Sequence, residues 1–387
     1  MIGSIGPCGV VPHDERWSPC GPPARPESLS TPEDPRGRVR VGLWAPDLNL
    51  GGAEDWQRTL VKAVDRSRVS WQGLAVTCGP IATDARVVGE FSGTMPVAYG
   101  PAGARALAAR CDVIVQWAVA GCAGILEGLR PRPRVVAVLH WPEESGWVKT
   151  FYDQPGGIDA FVAVSELAVP TAPAAHAGAV ATIWNALDPA RLTPKRGRAE
   201  VRRGWGVPEG AKVLGFLGRL EPGQKDPEAL ARARPHLPDG WHCVVVGEGV
   251  ARGRLEDAAR ADPGLHVPRG DRDAGSVLGA FDALCVPSAC ESFGLSLCEG
   301  LWVGLPVLST RTGVCKLVRG LTREIPVGAT GEAVALALYQ DLYHAEATRA
   351  RVGRARDWAR RVLDPERFGR EWTDYLVSLA ARKDPAR

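Results

Sequence analysis

Ala283-Leu284-Cys285-Val286-Pro287-Ser288-Ala289-Cys290-Glu291-Ser292-Phe293-Gly294-Leu295-Ser296-Leu297-Cys298-Glu299 reads as an apolar run, a short loop and the start of a helix. A carboxylate stands on each side of its Phe-Gly-Leu turn. A short apolar run ahead of a Pro-Ser loop is the pattern of a buried strand. In an α/β fold, ligands settle in the crevice outside the carboxyl ends of the strands, and a helix N-terminus there offers free N–H groups to anions. Glu291, in the loop, and Glu299, about two turns on, are then placed to border one ligand. The pair alone also suits an acid that caps a helix and a second acid in solvent, so the rest of the chain has to decide.

Upstream, Lys212-Val213-Leu214-Gly215-Phe216-Leu217-Gly218-Arg219-Leu220 reads as a buried strand that ends in a cation. Lys225 follows six positions after Arg219, just before an expected helix from Pro227 to Ala233. Two cations on one strand-to-helix loop suit a diphosphate, because Arg offers a planar fork to phosphate oxygens and Lys a mobile point charge. Nearer the start, Val39 to Ala45 reads as a first strand, followed by Gly51-Gly52-Ala53-Glu54 and an amphipathic helix from Trp56 to Val64. Adjacent glycines let a backbone come close to a ligand where a helix begins. The spacing is not the G-x-G-x-x-G of a dinucleotide fold.

Around these three loops, short β-rich runs alternate with helical ones. Gly73 to Thr77, Val113 to Gln116, Val135 to His140 and Ala160 to Val164 continue the first series. A second series begins at Lys212 and runs through Cys243 to Val246, Leu265 to Val267, Ala283 to Val286 and Pro306 to Leu308. Such alternation predicts parallel sheets with helices on both faces. At 387 residues the chain exceeds the usual single domain. Two doubly wound halves are expected, joined near Asp188 to Lys195 and leaving a cleft. Gly331 to Arg382 reads as helical with a break at Pro365, and Trp358, Phe368, Trp372, Tyr375 and Leu376 are candidates for a packing face.

With 45% hydrophobic and 24% charged residues, the composition is that of a soluble globular protein. No run approaches the roughly 18 to 20 apolar residues that span a bilayer. A net charge of +3 gives no case for a nucleic-acid partner. Between residues 39 and 185 acids and bases nearly balance, so membrane association is not supported by the sequence. Residues 1–37, rich in Pro, Gly and Ser, are expected to be a disordered leader. Without a basic n-region they do not read as a secretory signal, and a cytoplasmic location is expected. The ten cysteines include no C-x-x-C pair. Cys78, Cys111, Cys243, Cys285 and Cys298 lie in apolar segments and are expected to act as buried small hydrophobes, while Cys8 and Cys20 belong to the leader.

Taken in order, the Gly-Gly-Ala-Glu loop, the Gly-Arg to Lys loop and the Glu-x7-Glu segment resemble the retaining glycosyltransferases of family 4, whose fold is GT-B. The resemblance runs from about Arg38 to the end of the sequence and is supported by Val135 to His140, Phe161 to Ser165, Ile183 to Asn185 and Val244 to Gly249. It implies an α/β protein of two Rossmann-like domains facing across a cleft. The expected division is an acceptor domain over 38–187, a nucleotide-sugar domain over 188–363 and, over 364–387, a helix that returns to the first domain. It further implies transfer of a sugar from a nucleotide-diphosphate sugar to an acceptor hydroxyl with retention, and with no cofactor or metal.

In that reading Arg219 and Lys225 stabilise the departing diphosphate, helped by the N–H groups around Phe293, Gly294 and Leu295. Glu299 accepts from the ribose hydroxyls and Glu291 from those of the sugar; Gly51 and Gly52 border the donor. His140, at the end of its strand, takes the place of a histidine that touches the sugar near the reacting carbon, with Trp141 and Trp147 beside it. Val267 to Arg272 falls where the base is recognised. Asp271-Arg272-Asp273 has a D-x-D form but is expected to be a loop rather than a metal site. Ala186 and Asp226 stand where the family usually has glycine. Two other classes share such a cleft: nonhydrolysing sugar-nucleotide epimerases, and noncatalytic sugar-nucleotide binders or scaffolds. The loop spacings favour a transferase, and the four charged residues Arg219, Lys225, Glu291 and Glu299 are all present.

Overall fold

The structure is a computed structural model and describes residues 34–48, 51–78, 83–119, 121–142, 157–173, 179–271 and 273–382. Residues 1–33, which hold most of the expected leader with Cys8 and Cys20, lie outside them, as do Trp147 and Arg272. The chain divides into two compact units. Among the described residues, one comprises 34–186 together with 365–382, and the other runs from Leu187 to Asp364.

The N-terminal unit is built on a parallel sheet of strands β1 (Val39–Ala45), β2 (Val69–Val76), β3 (Val97–Tyr99), β4 (Val113–Gln116), β5 (Arg134–Leu139), β6 (Ala160–Ala163) and β7 (Ala181–Thr182). Their order across the sheet is β3-β2-β1-β4-β5-β6-β7. Every neighbouring pair is parallel. Helices on the faces leave the inner strands such as β4, β5 and β6 buried on both sides, which is why they read as mostly apolar runs rather than alternating ones. β3 and β7 had no sequence expectation, being too short to show a period.

The Pro365–Ala381 helix completes this unit. It starts with proline, which is preset for a first helical position, and buries Phe368, Trp372 and Leu376. Trp372 meets Trp56 of the Gly52–Ala63 helix edge to face, with ring centroids 5.5 Å apart. Contact is close because residue 369 is glycine; a Cβ there would lie 2.1 Å from the Ala63 carbonyl oxygen. Thr373 Oγ1 accepts from the Asp65 N–H at 3.1 Å, and Arg367 donates to the carbonyls of Trp184 and Asn185 at 2.8 and 3.2 Å. Trp358 does not share this face: it lies on the preceding helix, Ala345–Val362, in the other unit.

The C-terminal unit repeats the plan with β8 (Lys212–Leu217), β9 (Trp241–Val246), β10 (Leu265–His266), β11 (Ala283–Val286), β12 (Val307–Ser309) and β13 (Arg323–Glu324). All are parallel, in the order β10-β9-β8-β11-β12-β13. Its core gathers Leu214, Phe216, Leu230, Val245, Leu255 and Leu338. Two doubly wound sheets are therefore present, as the alternation predicted. The segment from Asp188, expected as a plain joint, instead forms a helical turn, Pro189–Leu192, which Asp188 caps by accepting from the Ala190 N–H at 3.0 Å. No helix among the described residues is long and apolar enough to cross a membrane. Cys111, Cys243, Cys285 and Cys298 are buried, whereas Cys78 is exposed, because β2 ends two residues before it.

Candidate active site

In the C-terminal unit the strand order reverses between β8 and β11. Loops leaving the carboxyl ends of those two strands turn to opposite sides and open a crevice. The β8 loop carries Arg219, Gln224 and Lys225, and the β11 loop carries Ser288 and Glu291. An Ala289 N–H donates to the Gln224 carbonyl at 2.8 Å, which fastens the two loops together.

Lys225 Nζ lies 2.5 Å from Glu291 Oε1, with side-chain exposures of only 19% and 10%. Ser288 Oγ donates to the same carboxylate oxygen at 2.8 Å. Among the described residues the second oxygen, Oε2, accepts no hydrogen bond. Arg219 is exposed. It donates to Gln224 Oε1 at 3.0 Å and makes no ion pair among the described residues. One cation is thus held against a carboxylate while the other is free to meet an anion.

Lys225 does not precede a helix that starts at Pro227. It closes a helical turn, Pro222–Lys225, and the next helix begins at Ala229. Between them Asp226 adopts a left-handed conformation with φ 47°, a geometry that accounts for glycine being the usual family residue here. Its carboxylate receives Arg232 at 2.6 Å. Burial pushes the Asp226 carboxyl above its ordinary range, and the Arg232 hydrogen bond works against that rise.

Phe293 is buried and Gly294, at φ 88°, caps the Leu295–Val303 helix. Gly313 clasps this turn from the next loop: its N–H donates to the Glu291 carbonyl at 3.2 Å and the Val314 N–H to the Phe293 carbonyl at 2.9 Å. Gly313 has φ 54°, and a Cβ on it would sit 2.3 Å from the Phe293 oxygen. Glu299, one face of the same helix further on, is only 3% exposed and forms an ion pair with Arg191 of the Pro189–Leu192 turn. Glu299 is therefore not the acid in solvent that the Glu pair taken alone also allowed.

Glu291 and Lys225 thus come together in one site with Ser288, and Arg219 shares their loop. Ser288, three residues before Glu291 at a strand end, was legible as a candidate and was missed. Arg191 had no local signal, since its partner lies 108 positions away. Asp271 and Asp273 both engage Arg196, and Asp273 caps the Ala274–Gly279 helix by accepting from the Ser276 N–H at 3.1 Å. They tie this loop to the segment that follows the Pro189–Leu192 turn.

The N-terminal unit holds the other expected residues. His140 follows β5, partly buried. Trp56 stands edge-on to its ring at 4.9 Å and Trp117 at 6.0 Å. Burial pushes the imidazole down to about 3, so the ring is neutral near neutral pH. Both indoles were missed beside Trp141, being distant in sequence. Just after Trp117, Ala118 has φ 48°, a conformation that non-glycine residues rarely adopt outside special sites. Gly51 and Gly52 begin the Gly52–Ala63 helix. A Cβ on Gly51 would lie 2.8 Å from Glu54 Oε2, the far end of a flexible side chain.

Residues 211–340 match the family model described as Glycosyl transferases group 1. The matched stretch, similar to a group 1 glycosyltransferase domain, lies wholly within the C-terminal unit. All of Arg219, Lys225, Ser288, Glu291 and Glu299 fall inside that stretch. Relatives similar to this chain include the D-inositol 3-phosphate glycosyltransferases of Corynebacterium urealyticum, 32% identical over 40% of this chain and 39% of the relative, and of Streptomyces avermitilis, 31% identical over 47% and 43%. The chain thus spans about two fifths of the length of the curated relatives it matches. In fold it is similar to Anabaena Alr3699/HepE in complex with UDP-glucose, with a TM-score of 0.75, 17% identity and coverage of 88% of this chain and all of that one. It is likewise similar to the sucrose-phosphate synthase of Thermosynechococcus elongatus, with a TM-score of 0.67, 14% identity and coverage of 89% and 100%. The likeness in fold to these two structures agrees with two Rossmann-like domains of the GT-B class in this chain.

Proposed function

We propose that the chain is a retaining glycosyltransferase that moves a sugar from a nucleotide-diphosphate sugar to an acceptor hydroxyl, with Arg219 and Lys225 rather than a metal neutralising the diphosphate. The observation that carries the reading is the meeting of Lys225, Glu291 and Ser288 beside Arg219, at the strand-order reversal of the C-terminal unit. The complexes of the fold neighbour Anabaena Alr3699/HepE with UDP and with UDP-glucose support a nucleotide-sugar donor. The assignment gives the donor to the C-terminal unit and the acceptor to the N-terminal unit, and places the protein in the cytoplasm.

As the anomeric carbon loses its phosphate it becomes cationic while the leaving diphosphate gains negative charge. Preorganised donors aimed at that charge lower the barrier most when they need not reorganise. Arg219 supplies a planar fork and Lys225 a point charge. The N–H groups of the first turn at Leu295, unpaired within their helix by geometry, add a partial positive charge behind them. Lys225 is held by Glu291 before a donor arrives, so Glu291 must pass the ammonium to phosphate and turn its carboxylate to sugar hydroxyls. Ser288 keeps one oxygen oriented during that exchange. Acceptor attack on the face from which the phosphate departs gives retention, and the phosphate takes the acceptor proton. His140, uncharged, suits orientation of a hydroxyl by a neutral hydrogen bond.

The test is thermal stabilisation of the purified chain by UDP, GDP, ADP and their sugars, with and without Mg²⁺. A selective shift by one nucleotide family, unaffected by Mg²⁺, is expected. No shift with any of them sinks the reading. Conversion of the nucleotide sugar without an acceptor would replace a transferase by an epimerase.

A further inference from the structure

Glu299 is the one carboxylate of the Glu-x7-Glu pair whose partner comes from outside the loops of the crevice. Its side chain is 4% exposed while that of Arg191 is 28% exposed. A carboxylate this deep needs a partner, because an ionised group removed from water without one is costly. An Arg at this place does more than compensate charge. The guanidinium is planar and rigid, so it fixes the rotation of the carboxylate it grips. It engages Oε1 of Glu299, and the direction in which the other oxygen points is set by that grip.

The support beneath Arg191 is itself built. Asp188 caps the turn, Pro189 opens it and Thr193 Oγ1 closes back on the Pro189 carbonyl at 3.0 Å. Immediately after it, the N–H groups of Lys195 and Arg196 both donate to Ser276 Oγ at 2.8 Å, and Ser276 is 1% exposed. Arg191 therefore stands on a short, capped turn anchored to a buried hydroxyl of the Ala274–Gly279 helix. A mere surface ion pair between long side chains has no such footing, and contributes little.

We propose that Arg191 is a positioning residue: it orients Glu299 so that the free carboxylate oxygen faces the ribose hydroxyls of the nucleotide, and so sets the preference of the site for ribonucleotides over deoxyribonucleotides. This rests on the donor-site reading given above. Arg191 touches no reacting atom and acts through Glu299 alone. Replacing it leaves the diphosphate cations untouched but lets the carboxylate rotate.

The experiment measures binding of UDP, GDP or ADP, whichever stabilises the native chain, and of its 2′-deoxy analogue, to the native protein, Arg191→Met, Arg191→Lys, Glu299→Gln and the double variant Arg191→Met/Glu299→Gln. Native protein is expected to prefer the ribonucleotide by roughly ten-fold or more, the range for a hydrogen bond to a charged group. In Arg191→Met that ratio falls toward one, the KM for the donor rises and kcat changes less. Arg191→Lys restores part of the ratio. The double variant discriminates no worse than Glu299→Gln, because the effect of Arg191 passes through that residue. A ribose preference in Arg191→Met equal to the native one overturns the inference while leaving the donor site standing, even if the variant melts earlier. Should Arg191→Met not fold, a native ratio in Arg191→Lys with native binding in Glu299→Gln overturns it as well. Absence of nucleotide binding by the native chain overturns the donor-site reading itself, and the inference with it.

Discussion

The two units share a strand order through their first six strands and differ in what stands at the carboxyl ends. In the C-terminal unit the crevice between β8 and β11 is ionic: Lys225 and Ser288 both engage Glu291, while Arg219, on the loop of Lys225, is held to Gln224. In the N-terminal unit, whose order reverses between β1 and β4, the carboxyl ends of β4 and its neighbour β5 carry Trp117 and an uncharged His140, backed by Trp56. The same topology provides two crevices, and side-chain chemistry alone makes one suited to a diphosphate and the other to a surface of hydroxyls and apolar faces. The difference also lies in what holds each unit together, because the aromatic cluster of the first is closed by a helix from the far end of the sequence.

The largest effect is expected from breaking that closure. Trp372→Ala removes a fully buried indole and should destabilise the N-terminal unit by about 3–5 kcal/mol. Hydrogen exchange should show lost protection across Gly52–Ala63 with β8 to β13 unchanged. Equal loss in both units would mean that they do not differ in this way. Lys225→Ala comes next and addresses the ionic crevice. Turnover should fall by roughly 2–4 kcal/mol of barrier, and Arg219→Ala should act likewise with almost no change in melting, since Arg219 is exposed. Near-native rates in both remove the diphosphate assignment.

Gly313→Ala sharpens the picture of how the crevice is braced. The added Cβ meets the Phe293 carbonyl and the φ is unfavourable, so a stability loss of about 1–3 kcal/mol is expected, with weaker nucleotide binding in the same titration. Binding unchanged after that loss would separate the brace from the site. His140→Gln gives the smallest effect. Because burial lowers the folded His140 pKa to about 3 against about 6.5 in the unfolded chain, the unfolded state binds the extra proton between those values. The His140 contribution is therefore fully present above about pH 6.5 and declines as pH falls toward 3. One proton is at stake, so the slope stays at or below about 1.4 kcal/mol per pH unit. Urea titrations from pH 7 to 4 should show a flatter decline in the variant, and an unaltered slope would mean that the ring is not held neutral by its surroundings.

Legibility in the sequence divided along the same line. Strands such as Val39–Ala45, Val113–Gln116 and Ala283–Val286 could be read to the residue, because buried parallel strands are continuous apolar runs bounded by loop residues. β3, β7 and β13 are too short for any period to appear. The charged residues of the crevice stood out because an acid or a cation at a strand end has few structural uses. Ser288 was obscured by its ordinary role in loops, and Arg191 by sequence distance. Tryptophans gave the weakest signal: in a chain with 13 of them, pattern does not separate a ring that faces His140 from one that fills a core. At Gly51, close approach by its own helix and by a ligand look alike from sequence.

The Pro365–Ala381 helix comes after every residue of the C-terminal unit yet seals the N-terminal one. On the ribosome, the first sheet to emerge therefore waits with the Trp56 face of its Gly52–Ala63 helix uncovered until a whole second domain has been made. The C-terminal unit, drawn from one continuous stretch, has no such wait. Domains generally complete in order of emergence; here the first begun is the last finished, and for the whole interval its apolar face is open to chaperones and to wrong partners alike.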